Sequence, residues 1–320
     1  MPTKLPDDGT LWRTDQLLAS GLNARAIAVL VRDGSLVRLR RGCYGRGDWW
    51  RDLDAPSRRR QLISAHALGT LTTSAGGFVY SHVSGASLHR LRLWKVDDRV
   101  HLTQDACPSG ISHGRDVVAH TRRVASRELC FVDGLPCTSL ERTVVDCCLM
   151  FTVPQAVILV DHAARLGADL GMIRTACDAL AGRNGVVALR RALELVDPRS
   201  ESAGESLTRE LLHRLGIRPP ELQYSVLTPL GEHRMDFAWP EVKVAVEFDG
   251  KSKYFDYRPT GEVLFAERQR EKALTEQGWT FVRIEWKHLF NEVEFKYRVL
   301  RALNRGAGAD SSPFRRSAAG

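Results

Sequence analysis

The sequence lacks a long apolar segment and a regular cysteine pattern. Its longest apolar run, near Phe151 to Val160, is too short to span a bilayer. No apolar stretch follows the first basic residue, so a secretory signal is not expected. The seven cysteines form no Cys-x-x-Cys pair, and their odd number argues against a disulfide framework. We therefore expect a cytoplasmic protein with reduced cysteines and no membrane association.

Lysine is also scarce, because 38 of the 46 basic residues are arginine. This bias is typical of a GC-rich genome, so the distribution of charge is more informative than its total of +8. Residues 1–60 hold 12 basic and 7 acidic side chains, a surplus of +5 in the first fifth of the chain. A basic segment of this kind is compatible with a nucleic-acid partner.

The chain of 320 residues is long enough for several domains, and its 43% hydrophobic and 26% charged residues are typical of a globular protein. The succession of helical and strand patterns predicts a multidomain α/β protein. We expect domains at residues 1–55, 56–198 and 199–304, because Pro198 and the serines after it indicate a linker. The Gly/Ala/Ser-rich residues 305–320 are expected to be disordered.

Two short helices and a hairpin are predicted within residues 10–47. Thr14 and Asn23 can cap the helices, and Gly34 can end the second. From Leu36 to Tyr44, apolar and basic residues alternate around a glycine turn, which predicts a β-hairpin. This is the order of elements in a winged helix-turn-helix.

A winged helix contacts base edges with the start of its second helix and phosphates with its wing. Double-stranded DNA would then be the partner of this segment. The predicted DNA-binding residues are Asn23, Arg25, Arg32, Arg38, Arg40 and Arg41. The alternative is a small scaffold whose arginines are solvated or contact another domain.

Residues 58–200 mix helices with short strands. Ser81 is the expected N-cap of a helix that runs to Leu91, and Asp133-Gly134 predicts a turn between two strands. Further strands are expected around residues 100–103 and 117–120, and further helices at 139–149, 153–166 and 186–195. Five histidines are interpreted as structural because no acidic or cysteine partners recur at ligand spacing: His82, His89, His101, His113 and His120.

The last segment alternates helices with strands. Helices are expected at 205–215, 261–277 and 287–303, and strands at 223–227, 233–239, 243–249 and 280–286. In strand 243–249, Glu247 and Asp249 share the face opposite Val246 and Phe248. A turn at Pro240-Glu241 would pair this strand antiparallel with the preceding one and bring Asp236 beside Glu247.

Two converging carboxylates repel each other unless a cation lies between them. Mg²⁺ fits such a site because it is hard, prefers oxygen ligands and can also bind phosphate oxygens and water. In phosphodiester hydrolysis it neutralises charge and activates water, and Lys251 or Lys253 could orient that water. The alternative is that Asp236 and Glu247 are strand-end charges in salt bridges with Lys243 or Arg234.

At these residues the chain resembles the PD-(D/E)XK nuclease superfamily, in the branch similar to very-short-patch-repair endonucleases. The likeness covers about residues 200–303 and rests on Asp236, the run Glu247-Phe-Asp-Gly-Lys251, the helix around Glu267-Arg-Gln-Arg-Glu271, and Gly278-Trp279 with Arg283 and Trp286. The resemblance implies a restriction-endonuclease-like α/β/α domain with metal ligands Asp236 and Glu247 and with Glu205 as a third carboxylate. The superfamily usually has lysine two positions after the glutamate, where this chain has Asp249. Asp249 would then be a further ligand and Lys251 the catalytic lysine, or the site does not catalyse.

The first two segments resemble AbiEi-family antitoxins of bacterial type IV toxin–antitoxin systems. The residues that carry this likeness are Leu22–Tyr44, Tyr80–His89 and Val132–Asp146, within about residues 5–195. The resemblance implies operator DNA binding and a nucleotidyltransferase-type toxin as partner. Two functions follow: a Mg²⁺-dependent endonuclease in a toxin–antitoxin or phage-defence system, or a non-catalytic antitoxin and autoregulator whose nuclease-fold domain only binds DNA or protein.

Overall fold

The computed structural model describes residues 5–6, 9–70, 77–105, 114–250 and 261–310. The chain divides into two compact units, a first unit of Met1–Leu193 and a second unit of Glu194–Gly320. Each unit contains helices and sheets, so the prediction of a multidomain α/β protein is confirmed. Over the part of the chain just given, no helix is both long and apolar enough to cross a membrane.

The first unit begins with the predicted helices and hairpin. Asn23 caps the second helix as predicted, because its side chain accepts a 2.9 Å hydrogen bond from the Ala26 amide. The N-cap of the first helix is Arg13 rather than Thr14, since an additional strand leads directly into the helix. The elements are β1 (Leu11–Arg13), α1 (Thr14–Ala19), α2 (Ala24–Arg32), β2 (Leu36–Arg40), β3 (Cys43–Arg46) and α3 (Gly47–Asp52). The three strands form an antiparallel sheet of order β1-β3-β2.

The rest of the first unit contains a five-stranded mixed sheet and several helices. The strand order of the sheet is β6-β5-β4-β8-β7. Its elements are α4 (Ala55–Thr70), β4 (Val79–Tyr80), α5 (His82–Leu88), β5 (Val100–Gln104), β6 (Val117–Thr121), β7 (Leu129–Val132) and β8 (Leu135–Thr138), followed by α6 (Leu140–Cys148), α7 (Val153–Arg165), α8 (Leu170–Ala179) and α9 (Val186–Leu195). Asp133 and Gly134 form the predicted turn, with φ of 50° and 76°.

Ser81 holds the N-cap position of α5, but its hydroxyl does not cap the helix. The oxygen lies 2.9 Å from His82 Nδ1 and accepts a 2.7 Å hydrogen bond from the Thr103 hydroxyl. The Thr103 hydroxyl therefore occupies a lone pair that a cap would use. The prediction of Ser81 as a side-chain cap was therefore wrong, although the helix begins where it was expected.

The second unit is built on a four-stranded sheet of order β12-β11-β10-β9. Its elements are α10 (Ala203–Arg214), β9 (Glu221–Thr228), β10 (Gly231–Trp239), β11 (Val244–Asp249), α11 (Gly261–Glu276), β12 (Thr280–Glu285), α12 (Trp286–Leu289) and α13 (Glu292–Asp310). β11 pairs antiparallel with β10 and parallel with β12, so β11 is central and its residues Val244, Ala245 and Val246 are fully buried.

The end of the second unit differs from the prediction in two ways. One helix was expected over 287–303, but the structure has two, and Asn291 accepts a hydrogen bond from the Glu294 amide at the start of α13. α13 also continues to Asp310, through residues expected to be disordered. Gly306 packs directly on the Val242 backbone, where a β-carbon would overlap, and this contact holds the extra turns of the helix.

Gly204 allows α10 to approach the end of β11. A β-carbon at this position would overlap the ring of Phe248. Alanine normally stabilises a helix relative to glycine by about 1 kcal/mol. We expect Gly204→Ala instead to lower the free energy of unfolding by about 1–3 kcal/mol, because the core must shift. Urea denaturation measures this change. Gly308→Ala in α13, where the space is open, is the control, and equal effects of the two variants would contradict the close packing.

Candidate active site

The turn between β10 and β11 brings Asp236 and Glu247 together. The turn is a 3₁₀ segment, Pro240–Val242, that ends at Lys243 with φ of 49°. Phe237 pairs with Val246, so the next pair outward is Asp236 with Glu247. Asp236 Oδ2 accepts a 2.9 Å hydrogen bond from the Phe248 amide. The predicted antiparallel pairing of these two strands is confirmed.

Glu205 approaches Asp236 from α10, and its residue exposure is only 7%. Its Oε2 accepts hydrogen bonds from the Glu201 amide at 2.8 Å and from Gln223 Nε2 at 3.0 Å. Gln223 lies opposite Asp236 on β9 and has a left-handed φ of 54°. A non-glycine residue in this conformation is strained, and such strain concentrates at functional sites. Sequence patterns gave no signal for Gln223 beyond a strand position.

The three carboxylates interact electrostatically. Burial, together with the charges of Glu205 and Glu247, raises the pKa of Asp236 to about 6, although the hydrogen bond from the Phe248 amide and the charge of Arg270 act to lower it. Two further carboxylates therefore lie close enough to Asp236 to act on its charge. The carboxylate charges that raise this pKa would attract a bound cation, whereas the burial that contributes most to the shift disfavours any lone charge.

Glu247 is held by an arginine of α11. Its Oε1 accepts a 2.7 Å hydrogen bond from Arg270 Nη2 in a mostly buried ion pair. The alternative partners named above are engaged elsewhere, since Lys243 donates to the Gln277 carbonyl and Arg234 pairs with Glu201. A cavity of about 290 Å³ opens at this point, lined by Arg234, Asp236, Glu247, Phe248, Asp249, Arg270 and Arg283.

The carboxylates are neighbours, but their oxygen atoms do not converge on a single point. Within 114–250 and 261–310, no three acidic ligand atoms lie within 4.8 Å of one another. A metal ion here would compete with Arg270 for Glu247. Asp249 is half-buried at the end of β11 and lines the same cavity. Lys251 and Lys253, the candidates for the catalytic lysine, lie outside the described residues.

The predicted DNA-binding residues of the first unit divide into two groups. Arg40 is directed inward, with its side chain 18% exposed and 3.5 Å from Asp116 in the turn that precedes β6. The Asn23 side chain accepts the capping hydrogen bond of α2. The remaining side chains are exposed along α2 and the β2–β3 hairpin: Arg25, Arg32, Arg38 and Arg41.

Three histidines of the first unit pack together. The rings of His82 and His120 stack with centroids 3.6 Å apart, and His120 Nε2 lies 3.1 Å from His101 Nδ1. Burial and the neighbouring histidines lower the pKa of His82 to about 2 and that of His120 to about 4. The rings are therefore neutral near pH 7. His113 lies outside the described residues.

Acidification should destabilise the first unit. The unfolded chain protonates its histidines below about pH 6.5, whereas folded His120 resists to about pH 4 and His82 to about pH 2. The neutral histidines therefore contribute fully to the free energy of unfolding above about pH 6.5. This contribution is lost as the pH falls from about 6.5 through the folded pKa values. Thermal melting of the full chain from neutral to acidic pH measures the slope. We expect His82→Asn to reduce the slope, and the exposed His213→Asn not to do so; equal slopes for all three proteins would contradict this prediction.

No protein-family model matches the chain. The chain is similar to two proteins of Mycobacterium tuberculosis, the uncharacterized protein MT2308 of strain CDC 1551 and the uncharacterized protein Rv2248 of strain H37Rv. Each is 28% identical over 268 residues, covering 82% of this chain and 90% of the relative. The crystal structure of the Rv2827c protein from the same species aligns with 70% of this chain and 85% of its own, at 18% identity and a TM-score of 0.36.

Proposed function

We propose that the second unit is a Mg²⁺-dependent endonuclease domain of the PD-(D/E)XK type. We also propose that residues 11–46 form a winged helix-turn-helix that binds double-stranded DNA. The observation that carries the first proposal is the register of β10 and β11, which sets Asp236 opposite Glu247, with Glu205 close enough to raise the pKa of Asp236. The exposed arginines of α2 and the hairpin support the second.

The donor set fits a hard cation, because every acidic ligand candidate offers carboxylate oxygen. Asp236 and Glu247 would hold the ion, with Asp249 and Glu205 beside them. Bound Mg²⁺ would neutralise charge on the scissile phosphate and lower the pKa of an attacking water. Glu205, fixed by the Glu201 amide and Gln223, would add a third carboxylate beside the ion.

Two arginines are placed to bind the phosphate backbone. Arg270 and Arg283 both line the acidic cavity, and Arg283 pairs with Glu271 at 3.0 Å. An ion bound at Glu247 would release Arg270 from its ion pair, so its guanidinium could then contact a phosphate. Lys251 is proposed as the lysine that orients the attacking water, from its place in the sequence motif.

Incubation with supercoiled plasmid tests the nuclease proposal. Purified full-length protein should nick or linearise the plasmid in Mg²⁺, and EDTA should abolish the reaction because the carboxylates alone cannot neutralise phosphate. Wild-type protein that leaves the plasmid and linear duplex intact in both Mg²⁺ and Mn²⁺ would contradict the proposal.

A regulatory function is the second candidate. Asp249 occupies the position at which the nuclease superfamily usually has lysine, and this favours an AbiEi-like antitoxin and autoregulator with a nucleotidyltransferase-type toxin as partner. This proposal predicts sequence-specific binding to the promoter of its own gene without cleavage in Mg²⁺. A gel-shift assay on that promoter, run with and without Mg²⁺, separates the two functions.

A further inference from the structure

A cluster of one histidine and two cysteines lies in the first unit, apart from the residues of the proposed nuclease and DNA-binding sites. His89 follows α5, Cys130 lies in β7 and Cys137 lies in β8. His89 Nε2 is 3.8 Å from the sulfur of Cys137 and 4.0 Å from that of Cys130, and all three ligand atoms lie within 4.8 Å of one another. His89 is 41 positions before Cys130 in the sequence, and the two cysteines do not have Cys-x-x-Cys spacing, so the sequence pattern gave no signal.

The backbone fixes the positions of these three residues. Cys130 and Cys137 are directly opposite each other in the antiparallel β7–β8 pair, which the Asp133-Gly134 turn holds in register. β8 also pairs with β4, and Cys137 is fully buried. Cys130 is only half-buried, so an ion could reach the cluster from its side.

The ligand set and spacing fit Zn²⁺. Zinc bonds of about 2.3 Å to sulfur and about 2.0 Å to nitrogen give tetrahedral ligand separations of roughly 3.6–3.8 Å. The observed separations of 3.8 and 4.0 Å therefore need only small side-chain movements. Thiolates and imidazole select zinc over magnesium or calcium, which prefer oxygen.

We infer that His89, Cys130 and Cys137 form a Zn²⁺ site with three protein ligands and one position open to water or another ligand. Binding would form two Zn–S bonds and one Zn–N bond, and both thiol protons would leave to solvent without any electron transfer. His89 Nε2 is now 2.8 Å from the Thr138 carbonyl, a contact in which it donates. Coordination would replace that hydrogen bond and move the ring proton to Nδ1.

Titration of the reduced full-length protein with Zn²⁺ and Co²⁺ tests this site. We expect one equivalent of Zn²⁺ to bind with Kd below about 1 μM and to release about two protons. Co²⁺ should give a sulfur-to-metal charge-transfer absorption, which reports thiolate ligation and which carboxylates cannot produce. Calorimetry in two buffers of different ionisation enthalpy counts the protons.

Two cluster variants and two controls make the assignment specific. Cys130→Ser/Cys137→Ser should abolish the absorption and weaken Zn²⁺ binding at least about 100-fold, and His89→Gln should weaken it in a chain that keeps both thiols. Cys177→Ala and Glu241→Gln, which lie outside both proposed metal sites, should bind as the wild type does. Thermal melting without metal shows whether each variant is folded. The inference fails if folded wild-type protein gives no charge-transfer absorption, if the double variant binds Zn²⁺ equally well, or if Cys130 and Cys137 form a disulfide and the protein takes up no zinc after that disulfide is reduced.

Discussion

Replacing Glu247 by glutamine should reduce Mg²⁺-dependent plasmid cleavage by about 100-fold or more, the usual cost of losing a group that stabilises transition-state charge. The change keeps the shape of the side chain but removes its charge, and Arg270 then loses its partner at 2.7 Å. Affinity for DNA should not fall, because a negative charge near phosphate is removed. The initial rate of plasmid nicking, measured beside a gel-shift titration, separates the two effects.

Controls distinguish loss of the site from loss of the fold. Asp236→Asn should be equally inactive. Its melting temperature above pH 6 should be no lower than that of the wild type, because the raised pKa of Asp236 means that the ionised carboxylate is disfavoured in the folded chain. Glu241→Gln changes an exposed carboxylate that pairs with Arg218 in the same unit, and should cleave normally. A Glu247→Gln protein that cleaves at the wild-type rate would remove Glu247 from the mechanism.

Replacing four exposed arginines by alanine should weaken DNA binding by about two to three orders of magnitude at moderate salt. These are Arg25, Arg32, Arg38 and Arg41, on α2 and the β2–β3 hairpin. Each lost phosphate contact should also reduce the slope of log K against log salt by about 0.9, so the slope should flatten by up to about 3.6. Fluorescence anisotropy with a labelled duplex over a range of salt concentrations measures both quantities.

Matched arginine substitutions elsewhere in the first unit test whether DNA binding depends on the positions of the arginines or only on net charge. Arg174→Ala/Arg183→Ala removes two exposed arginines from another part of the first unit, whereas Arg38→Ala/Arg41→Ala removes two from the hairpin. Only the hairpin pair should flatten the salt slope. Equal slopes for the two double variants would show that the hairpin does not contact DNA.

The centre of the candidate site could be predicted from sequence patterns, because residues close together in the sequence determine its geometry. Strand alternation placed Glu247 and Asp249 on one face, and a short turn after Trp239 left an antiparallel pairing as the simplest connection. Asp236 and Glu247 are only 11 positions apart, so this single turn determines their approach. The β7–β8 turn at Asp133-Gly134 was predictable for the same reason.

Features that depend on distant contacts could not be predicted in this way. The approach of Glu205 requires Gly204 to pack on Phe248, and the position of Arg40 depends on Asp116, which is 76 positions later in the turn before β6. Arg270 could have been a phosphate contact or a solvated charge, and only the packing of α11 places it on Glu247. The contact of His89 with Cys130 joins residues 41 positions apart.

Mg²⁺ binding tests the central claim most directly, because it can be measured without knowledge of the DNA substrate. Mg²⁺ is titrated calorimetrically into the full chain and into Asp236→Asn, at a pH above 6 so that Asp236 is ionised. The proposed site predicts saturable binding by the wild type, with affinity at least about tenfold weaker in the variant. Absence of saturable Mg²⁺ binding by the wild type, or equal binding by both proteins, would contradict a metal-dependent nuclease site at Asp236 and Glu247.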